Sequence, residues 1–230
     1  MNPNGMTLMN GGNKLSIEEI NDLPADRYSI KSNDIPLRKD AFILPDDEKI
    51  RVIASHFREI MNTLGLDVND SLKGAAHQVA KMYVKEIFSG LNPQNKPVVR
   101  LIANEYWYNQ MLVEKNITLY STCAQLFVPI AGKVHVGYIS SGTVIGALGL
   151  KRIIQFFSRR PQVQEILTMQ VANELKAILG TESVAVLIEA MHFCVPSKEM
   201  QDTNSSSITT HFSGKFKQED AKNEFLALIK

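Results

Sequence analysis

Apolar residues recur with a helical period in the first half of the chain. Between residues 46 and 64 they fall three or four positions apart, two acids open the segment, and Gly65 stands where a helix cap belongs. A second segment, from about Ser71 to Gly90, has the same period and also ends in glycine. The pattern predicts two amphipathic helices after a flexible arm over residues 1–45, which is rich in Asn, Gly, Asp, Ser and Pro.

Strand patterns follow the two helices. They cover residues 98–102, 112–122 and 127–139, and Pro129 and Gly132 indicate a hairpin in the third segment. In that segment polar residues alternate with valines, which is typical of a sheet with one buried face.

The second half of the chain predicts one long helix and one long strand. Pro161 is expected near the first turn of a helix that Gly180 closes. Residues 184–195 alternate with a two-residue period, which puts His192 and Cys194 on the same face of a strand.

The last segments predict a Ser/Thr-rich strand over residues 205–216 and a short helix over 219–229. In that helix Phe225, Leu228 and Ile229 are expected to point inward. Helices, a run of strands with helices inserted, and a final helix together predict an α+β fold with a largely antiparallel sheet.

Composition narrows the function classes. The formal net charge is +1, which gives no argument for a nucleic acid partner, and no apolar run is long enough to span a bilayer. The N-terminus lacks the layout of a signal peptide, so a cytoplasmic protein is expected. Two cysteines, Cys123 and Cys194, favour packing, metal or nucleophile roles over a disulfide framework.

Four segments carry a resemblance to a known family. They read AKMYVKEIFSG at 80–90, GKVHVGYI at 132–139, RIIQFFSRRPQVQE at 152–165 and LGTESVAV at 179–186. Over residues 46–230 the chain resembles the GTP cyclohydrolase I family. This resemblance implies a tunnelling fold (T-fold): a helical part at 46–95, then a core at 96–230 with helices packed on one face of an antiparallel sheet.

The family pattern is altered where the resemblance implies a zinc site. Cys123 and Cys194 match the two zinc-binding cysteines, but Leu126 stands in place of the zinc-binding histidine. Zinc takes about four N, S or O ligands, and a hydrocarbon side chain has no lone pair to donate. No metal is therefore expected, unless an unrecognised ligand completes the site. Gln125 replaces a family histidine implied in proton transfer.

The phosphate end of the family site is also altered. Leu148 and Gly149 stand where the family has Ser-Lys, Arg152 matches a family arginine, and Lys198 replaces another. Lysine keeps the charge but loses the bidentate fork of arginine. The family's Thr-Pro-x-Arg motif is replaced by residues 75–78, which read AAHQ.

The ring-recognition end of the pattern is kept. The resemblance implies that Gln164 and Glu165 read a guanine-like ring and that His192 acts in proton transfer, with Cys123 and Cys194 as further candidate catalytic residues. Simpler roles stay open from the residues alone. The cysteines could be buried thiols, and a carboxylate at Glu165 favours a helix N-terminus without any ligand. His192 could be a core histidine, or it could activate the thiol of Cys194.

Three hypotheses follow. The favoured one is a divergent T-fold protein that binds a guanine- or pterin-like ring, with zinc-dependent GTP hydrolysis lost or replaced by metal-independent chemistry. The others are a working GTP cyclohydrolase I of folate and pterin biosynthesis, and a non-catalytic partner of an active paralogue. The resemblance also implies a homodecamer with sites at subunit boundaries, where Gln164 and Glu165 would meet Cys123, Cys194 and His192 from different chains. Arg159 and Arg160 are expected on a solvated or interface surface.

Overall fold

The computed structural model describes residues 9–10, 13–14, 37–38, 40–66, 72–194 and 205–230. The chain divides into two units, Met1–Asn33 and Asp34–Lys230. In the first unit, strand β1 (Met9–Asn10) pairs antiparallel with strand β2 (Asn13–Lys14). The prediction of a flexible arm over residues 1–45 falls mostly outside the described residues and stays a prediction.

Two helices open the second unit. Helix α1 (Asp46–Thr63) has three acids in its first turn, and Gly65 follows it with a φ of 75°, in agreement with the predicted cap. Helix α2 (Ala75–Met82) begins later than the pattern predicted. It continues as a π-helical turn, Tyr83–Ile87, and as short 3₁₀ turns at Ser89–Leu91 and Pro93–Asn95. A small cluster formed by Ile50, Ala54 and Ala80 joins the two helices.

Five strands form the main sheet: β4 Met111–Cys123, β5 Pro129–Ile139, β7 Pro161–Gln162, β8 Val184–His192 and β9 Ser207–Phe212. Their order across the sheet is β7-β4-β5-β8-β9. Every pairing is antiparallel except that of β4 with β7. Strands β3 (Leu101–Ala103) and β6 (Thr143–Ile145) form a separate antiparallel pair. The predicted α+β class with a largely antiparallel sheet is confirmed.

Gly132 and Pro161, which were expected near a turn and a helix start, both lie in strands. Gly132 lies inside the continuous strand β5, and the hairpin turn comes earlier, between β4 and β5. Pro161 belongs to β7, and the long helix begins at Gln164. The prediction of a turn at Gly132 is therefore wrong, whereas Pro161 lies three residues before the helix, close to the first turn where it was expected.

Helices cover both faces of the sheet, so the implied packing on one face describes α3 (Ala147–Ser158) and α4 (Gln164–Leu179) but not the C-terminal helix. Helices α3 and α4 pack on one face and form the main hydrophobic cluster with β4, β5 and β8. The C-terminal helix α5 (Glu219–Ile229) and a 3₁₀ turn, Gly214–Lys217, cover the other face with Phe216 and Phe225. Phe225 is fully buried as predicted, whereas Leu228 is 47% exposed, so its predicted inward position is wrong.

The arginines at the end of α3 differ from each other. Arg159 is exposed, but Arg160 is buried, and its Nε donates to the carbonyl oxygen of Gly90 at 2.7 Å. The guanidinium of Arg160 lies 4.5 Å from the ring centroid of Phe156. The expectation of a solvated or interface surface is wrong for Arg160, whose side chain is part of the packing. No helix in the described ranges is long and apolar enough to cross a membrane.

Candidate ligand site at the strand ends

The ends of strands β4, β5 and β8 lie side by side in the sheet. Ser121 is opposite Ile130, which is in turn opposite His192. One step farther along, the backbone N–H of Cys123 donates to the carbonyl of Val128 at 2.8 Å. The register therefore brings Cys123 and the end of β8 to the same end of the sheet. We use the name strand-end site for Cys123, Gln164, Glu165, His192 and Cys194.

A turn held by backbone hydrogen bonds follows Cys123. The N–H of Phe127 donates to the carbonyl of Cys123 at 2.9 Å, and the N–H of Ala124 donates to the carbonyl of Gln162 at 3.0 Å. Phe127 has a φ of 55°, a conformation that is uncommon for a bulky residue. Its ring packs edge-on against Phe88, with 5.4 Å between centroids. The turn is thereby fixed to the helical part of the chain.

The two altered positions of this turn face outward. Leu126 is 47% exposed and Gln125 is also exposed, whereas Cys123 is only 9% exposed and belongs to the main hydrophobic cluster. An exposed leucine contributes little to the core. Core packing therefore does not explain why residue 126 is a leucine.

Cys194 lies just beyond the strand. β8 ends at His192, so the two-residue alternation that predicted a common direction for His192 and Cys194 does not extend to Cys194. The cysteine is partly buried and packs against the main cluster, to which Cys123 also belongs. Neither cysteine forms a disulfide.

Gln164 and His192 form the best-defined contact of the strand-end site. His192 Nε2 lies 2.6 Å from Gln164 Oε1, and both residues belong to the same chain. The amide nitrogen of Gln164 donates to the backbone carbonyls of Ile188 at 3.1 Å and Ser207 at 2.9 Å. Gln164 is 2% exposed. The expectation that Gln164 meets His192 across a subunit boundary is therefore wrong for this pair.

Glu165 is the next residue along α4. It is exposed, and it is the one acidic residue in the first turn of that helix. The first N–H groups of a helix have no intrahelical acceptor, so a carboxylate there is favourable and an anionic or polar ligand edge can bind nearby. Glu165 directly follows the buried Gln164 in the chain, and its exposed carboxylate can accept hydrogen bonds from the N–H groups of a ring.

Two threonines were missed by the sequence reasoning. Thr168 Oγ1 donates to the carbonyl of Gln164 at 2.8 Å and lies 2.7 Å from Thr209 Oγ1. Thr209 Oγ1 also accepts from the amide of Gln164 at 3.1 Å. One signal was available in the sequence. Thr168 follows Gln164 by four positions, so it lies on the same face of a helix otherwise marked by apolar residues.

The predicted phosphate residues are not brought to this site within one chain. Arg152 is exposed and lines a different cavity of about 420 Å³, whose lining also includes Asp46, Lys85 and Arg159. None of the five strand-end residues lines that cavity. Lys198 lies outside the described residues.

The position of the missing family lysine is closely packed in this chain. A Cβ atom added to Gly149 would come within 2.8 Å of Val99 Cγ1 and 2.9 Å of Ile145 Cγ1. A larger side chain at residue 149 would have to displace those two side chains. Residue 149 is therefore closely surrounded, and no open space is left there.

The donor set does not fit the zinc ion that the resemblance implies. Cys123 and Cys194 supply two sulfurs, and the third family position carries a leucine. Within the described ranges, no group of three or more His, Cys, Asp or Glu side chains could hold a metal ion. A catalytic zinc site needs about three protein ligands. The expectation that this chain binds no metal stays a prediction, because residues 195–204 and a second chain could add donors.

Comparison with known proteins gives the same family that the four segments indicated. The family model for GTP cyclohydrolase I matches residues 53–230. A protein named GTP cyclohydrolase 1 from Flavobacterium johnsoniae is 53% identical over 196 residues, which cover 85% of this chain and 88% of the relative.

Two further relatives carry the same name. The protein from Aeromonas hydrophila is 48% identical over 189 residues, covering 81% of this chain and 87% of the relative. The protein from Escherichia coli O1:K1 is 44% identical over 197 residues, covering 85% of this chain and 89% of the relative. Match length, identity and the α+β fold with its antiparallel sheet agree, and the chain belongs to the GTP cyclohydrolase I family.

Proposed function

We propose that this protein binds GTP and holds the guanine ring at the strand-end site. The observation that supports the proposal is the exposed carboxylate of Glu165, which directly follows in the chain the buried Gln164 that is hydrogen-bonded to His192. Guanine presents an N1–H and a 2-amino group on one edge, and a carboxylate can accept hydrogen bonds from both at once. Pterins present the same edge, so they belong to the same ligand class.

The first candidate for turnover is GTP cyclohydrolase I activity itself. Relatives named GTP cyclohydrolase 1, up to 53% identical over most of both chains, favour this activity over its loss. Its product would be dihydroneopterin triphosphate, which would place the protein in folate and pterin biosynthesis. The activity would need metal donors from beyond the described residues of one chain, supplied by residues 195–204 or by a neighbouring subunit.

The second candidate is ring binding without zinc-dependent hydrolysis. Leu126 and Gln125 favour it, because neither side chain can replace the ligating or titrating group of a histidine. Under this candidate His192 is the titratable group next to the ring. The protein then either catalyses a metal-independent reaction or has lost catalysis.

Ring binding is tested by calorimetric titration of GTP, ATP and a pterin into the full chain. We expect GTP to bind in preference to ATP, and Glu165→Gln to weaken GTP binding by roughly tenfold or more, because a charged acceptor shared by two hydrogen bonds is lost. Glu224→Gln is the matched control, because it removes an exposed carboxylate on the opposite side of the fold, on α5. GTP binding that Glu165→Gln leaves unchanged would remove the proposed ring anchor.

The two candidates for turnover separate in a second experiment on the same sample. Release of formate from GTP, together with about one zinc per chain by elemental analysis, would select the cyclohydrolase. GTP binding with neither formate nor zinc would select the ring-binding protein. Co-purification with an active paralogue from the native host, with no binding of GTP or pterin, would contradict both candidates and favour the non-catalytic partner.

A further inference from the structure

The hydrogen bonds around Gln164 fix which way its amide points. The amide nitrogen lies within hydrogen-bond distance of two backbone carbonyl oxygens, those of Ile188 and Ser207. A carbonyl oxygen can only accept a hydrogen bond. If the amide were flipped, three oxygens would face each other in a site that is almost fully buried, so Oε1 must be the atom that faces His192.

This orientation determines the tautomer of His192. An amide oxygen has no hydrogen to donate, so the 2.6 Å contact requires a hydrogen on His192 Nε2. In a neutral imidazole only one ring nitrogen carries a hydrogen. Nδ1 is then the acceptor of the ring, and no residue in the described part of the chain hydrogen-bonds to it.

The two threonines hold Gln164 in place through a closed set of hydrogen bonds. The hydroxyl of Thr168 donates to the carbonyl of Gln164, so the hydroxyl of Thr209 must donate to Thr168. The oxygen of Thr209 is then free to accept from the amide of Gln164. Every donor in this set has an acceptor, and Gln164 and Thr168 are 2% and 1% exposed. Such a satisfied buried network keeps one arrangement.

The amide nitrogen of Gln164 has no hydrogen left for a ligand. Its two hydrogens are shared among three acceptors, and its oxygen accepts from His192. We propose that Gln164 is a positioning residue, which holds His192 as the Nε2–H tautomer and leaves Nδ1 as the proton acceptor of the strand-end site. Reading of the ring then falls to Glu165. This inference rests on the proposed function for the ligand that His192 would meet.

The tautomer can be measured without any ligand. Magic-angle-spinning NMR of sedimented full-length protein, labelled with ¹⁵N-histidine, distinguishes Nε2–H from Nδ1–H imidazole in alkaline buffer. His192→Asn identifies the signal of residue 192 among the five histidines. We expect the Nε2–H tautomer in the unsubstituted protein and a mixture of both tautomers in Gln164→Met, which keeps the side-chain length but removes the acceptor.

Thr209 provides a second, milder test if Gln164→Met does not fold. Thr209→Val removes the hydroxyl that accepts from the amide, whereas Thr209→Ser keeps it. We expect Thr209→Val to broaden the tautomer distribution of His192 and Thr209→Ser to leave it as in the unsubstituted protein. A role of Thr209 in packing alone predicts the opposite order, because valine keeps the volume of threonine and serine does not.

Two outcomes would overturn the inference. One is an Nδ1–H tautomer in the unsubstituted protein. The other is a Gln164→Met variant that loses the preference for GTP over ATP while the tautomer of His192 stays unchanged, which would assign Gln164 to the ring. Failure of the proposed function is a separate result: a fixed Nε2–H tautomer that depends on Gln164, in a protein that binds neither GTP nor a pterin.

Discussion

His135 is a buried histidine with an unsatisfied ring nitrogen. It lies on β5 with 5% exposure, and its Nδ1 has no hydrogen-bond partner. Burial lowers the pKa of His135, while Glu189 raises it and Lys133 and Lys115 lower it further. His211 on β9 has an unpartnered Nε2, and its pKa is lowered by burial in the same way. For both rings the lowered pKa favours the neutral form in the folded protein.

The lowered pKa of His135 predicts loss of stability in acid. The unfolded chain, with a histidine pKa of about 6.5, takes up the proton first as the pH falls, so acidification below about pH 6.5 favours unfolding. Above that pH both states are neutral and this residue contributes no pH dependence. We expect His135→Leu to make the free energy of unfolding fall less steeply between about pH 6.5 and 5.

The measurement is urea unfolding at a series of pH values. His56→Leu serves as the control, because His56 is exposed on α1. The prediction is contradicted if His135→Leu and His56→Leu give the same slope of stability against pH.

Leu126→His tests whether one side chain separates this site from a metal site. Because Leu126 is 47% exposed, an imidazole fits there without repacking the core. It would add a third donor to Cys123 and Cys194, the number that a catalytic zinc site takes from protein. We expect purified Leu126→His to retain zinc at a higher ratio per chain than the unsubstituted protein. Leu126→Asn is the control for polarity, and equal zinc in all three proteins would contradict the prediction.

The sequence allowed the site residues to be named but not their partners. Cys123, His192 and Cys194 were identified by matching a family pattern, and the register of the strands places Cys123 and His192 at one end of the sheet. Spacing along the chain could not reveal that the side-chain amide of Gln164 hydrogen-bonds to residues of β8 and β9. Such contacts depend on which strands lie beneath the start of α4, and this is decided by tertiary packing.

At the scale of elements, periodicity was most reliable where caps accompanied it. The bounds of α1 and α5 agree with the predicted helices because acids open both segments and Gly65 closes the first. Gly132 was misread as a turn residue. A Cβ atom there would lie 2.1 Å from the carbonyl oxygen of Glu189, so the glycine allows β5 and β8 to approach closely. Sequence patterns do not distinguish these two uses of glycine.

Gly132→Ala therefore has a defined expected cost. The added methyl group would press on the backbone of β8, which cannot move aside as a flexible side chain can. Overpacking of this kind costs roughly 1–3 kcal/mol of the free energy of unfolding. Gly74→Ala is the control, because nothing lies within 4 Å of a Cβ atom at residue 74. Denaturant unfolding of both variants makes the comparison. An equal loss of unfolding free energy in both would show that the contact with the carbonyl of Glu189 does not destabilise Gly132→Ala.

At the scale of the whole molecule, the main sheet has an open edge. β4 is 13 residues long, yet in the described structure β7 pairs with only Thr122 and Cys123 of it. β9 forms the opposite edge and exposes Ile208. Long unpaired strand edges bind other strands readily. Edge pairing of β4 in one chain with β9 in the next is a head-to-tail contact, which closes into a ring when the rotation allows it.

We expect a homo-oligomer in solution, and the family resemblance predicts ten chains. Light scattering on a size-exclusion column would then give about ten times the chain mass of 25.7 kDa. Ile208→Lys places a charge on the exposed edge strand and should shift the distribution to smaller species, since charged edges oppose pairing. Lys222→Glu, on the exposed surface of α5, is the control for a simple change of charge. A monomer at micromolar concentration would contradict the prediction.

The turn after Cys123 has a consequence for how this family can diverge. Its shape depends on the main chain, since the N–H groups of Cys123, Ala124 and Phe127 all donate to backbone carbonyls. The side chains of Gln125 and Leu126 between them are exposed, and none of these backbone hydrogen bonds involves them. Exchange of Leu126 for another side chain is therefore expected to alter the chemistry of the site and to leave the turn in place.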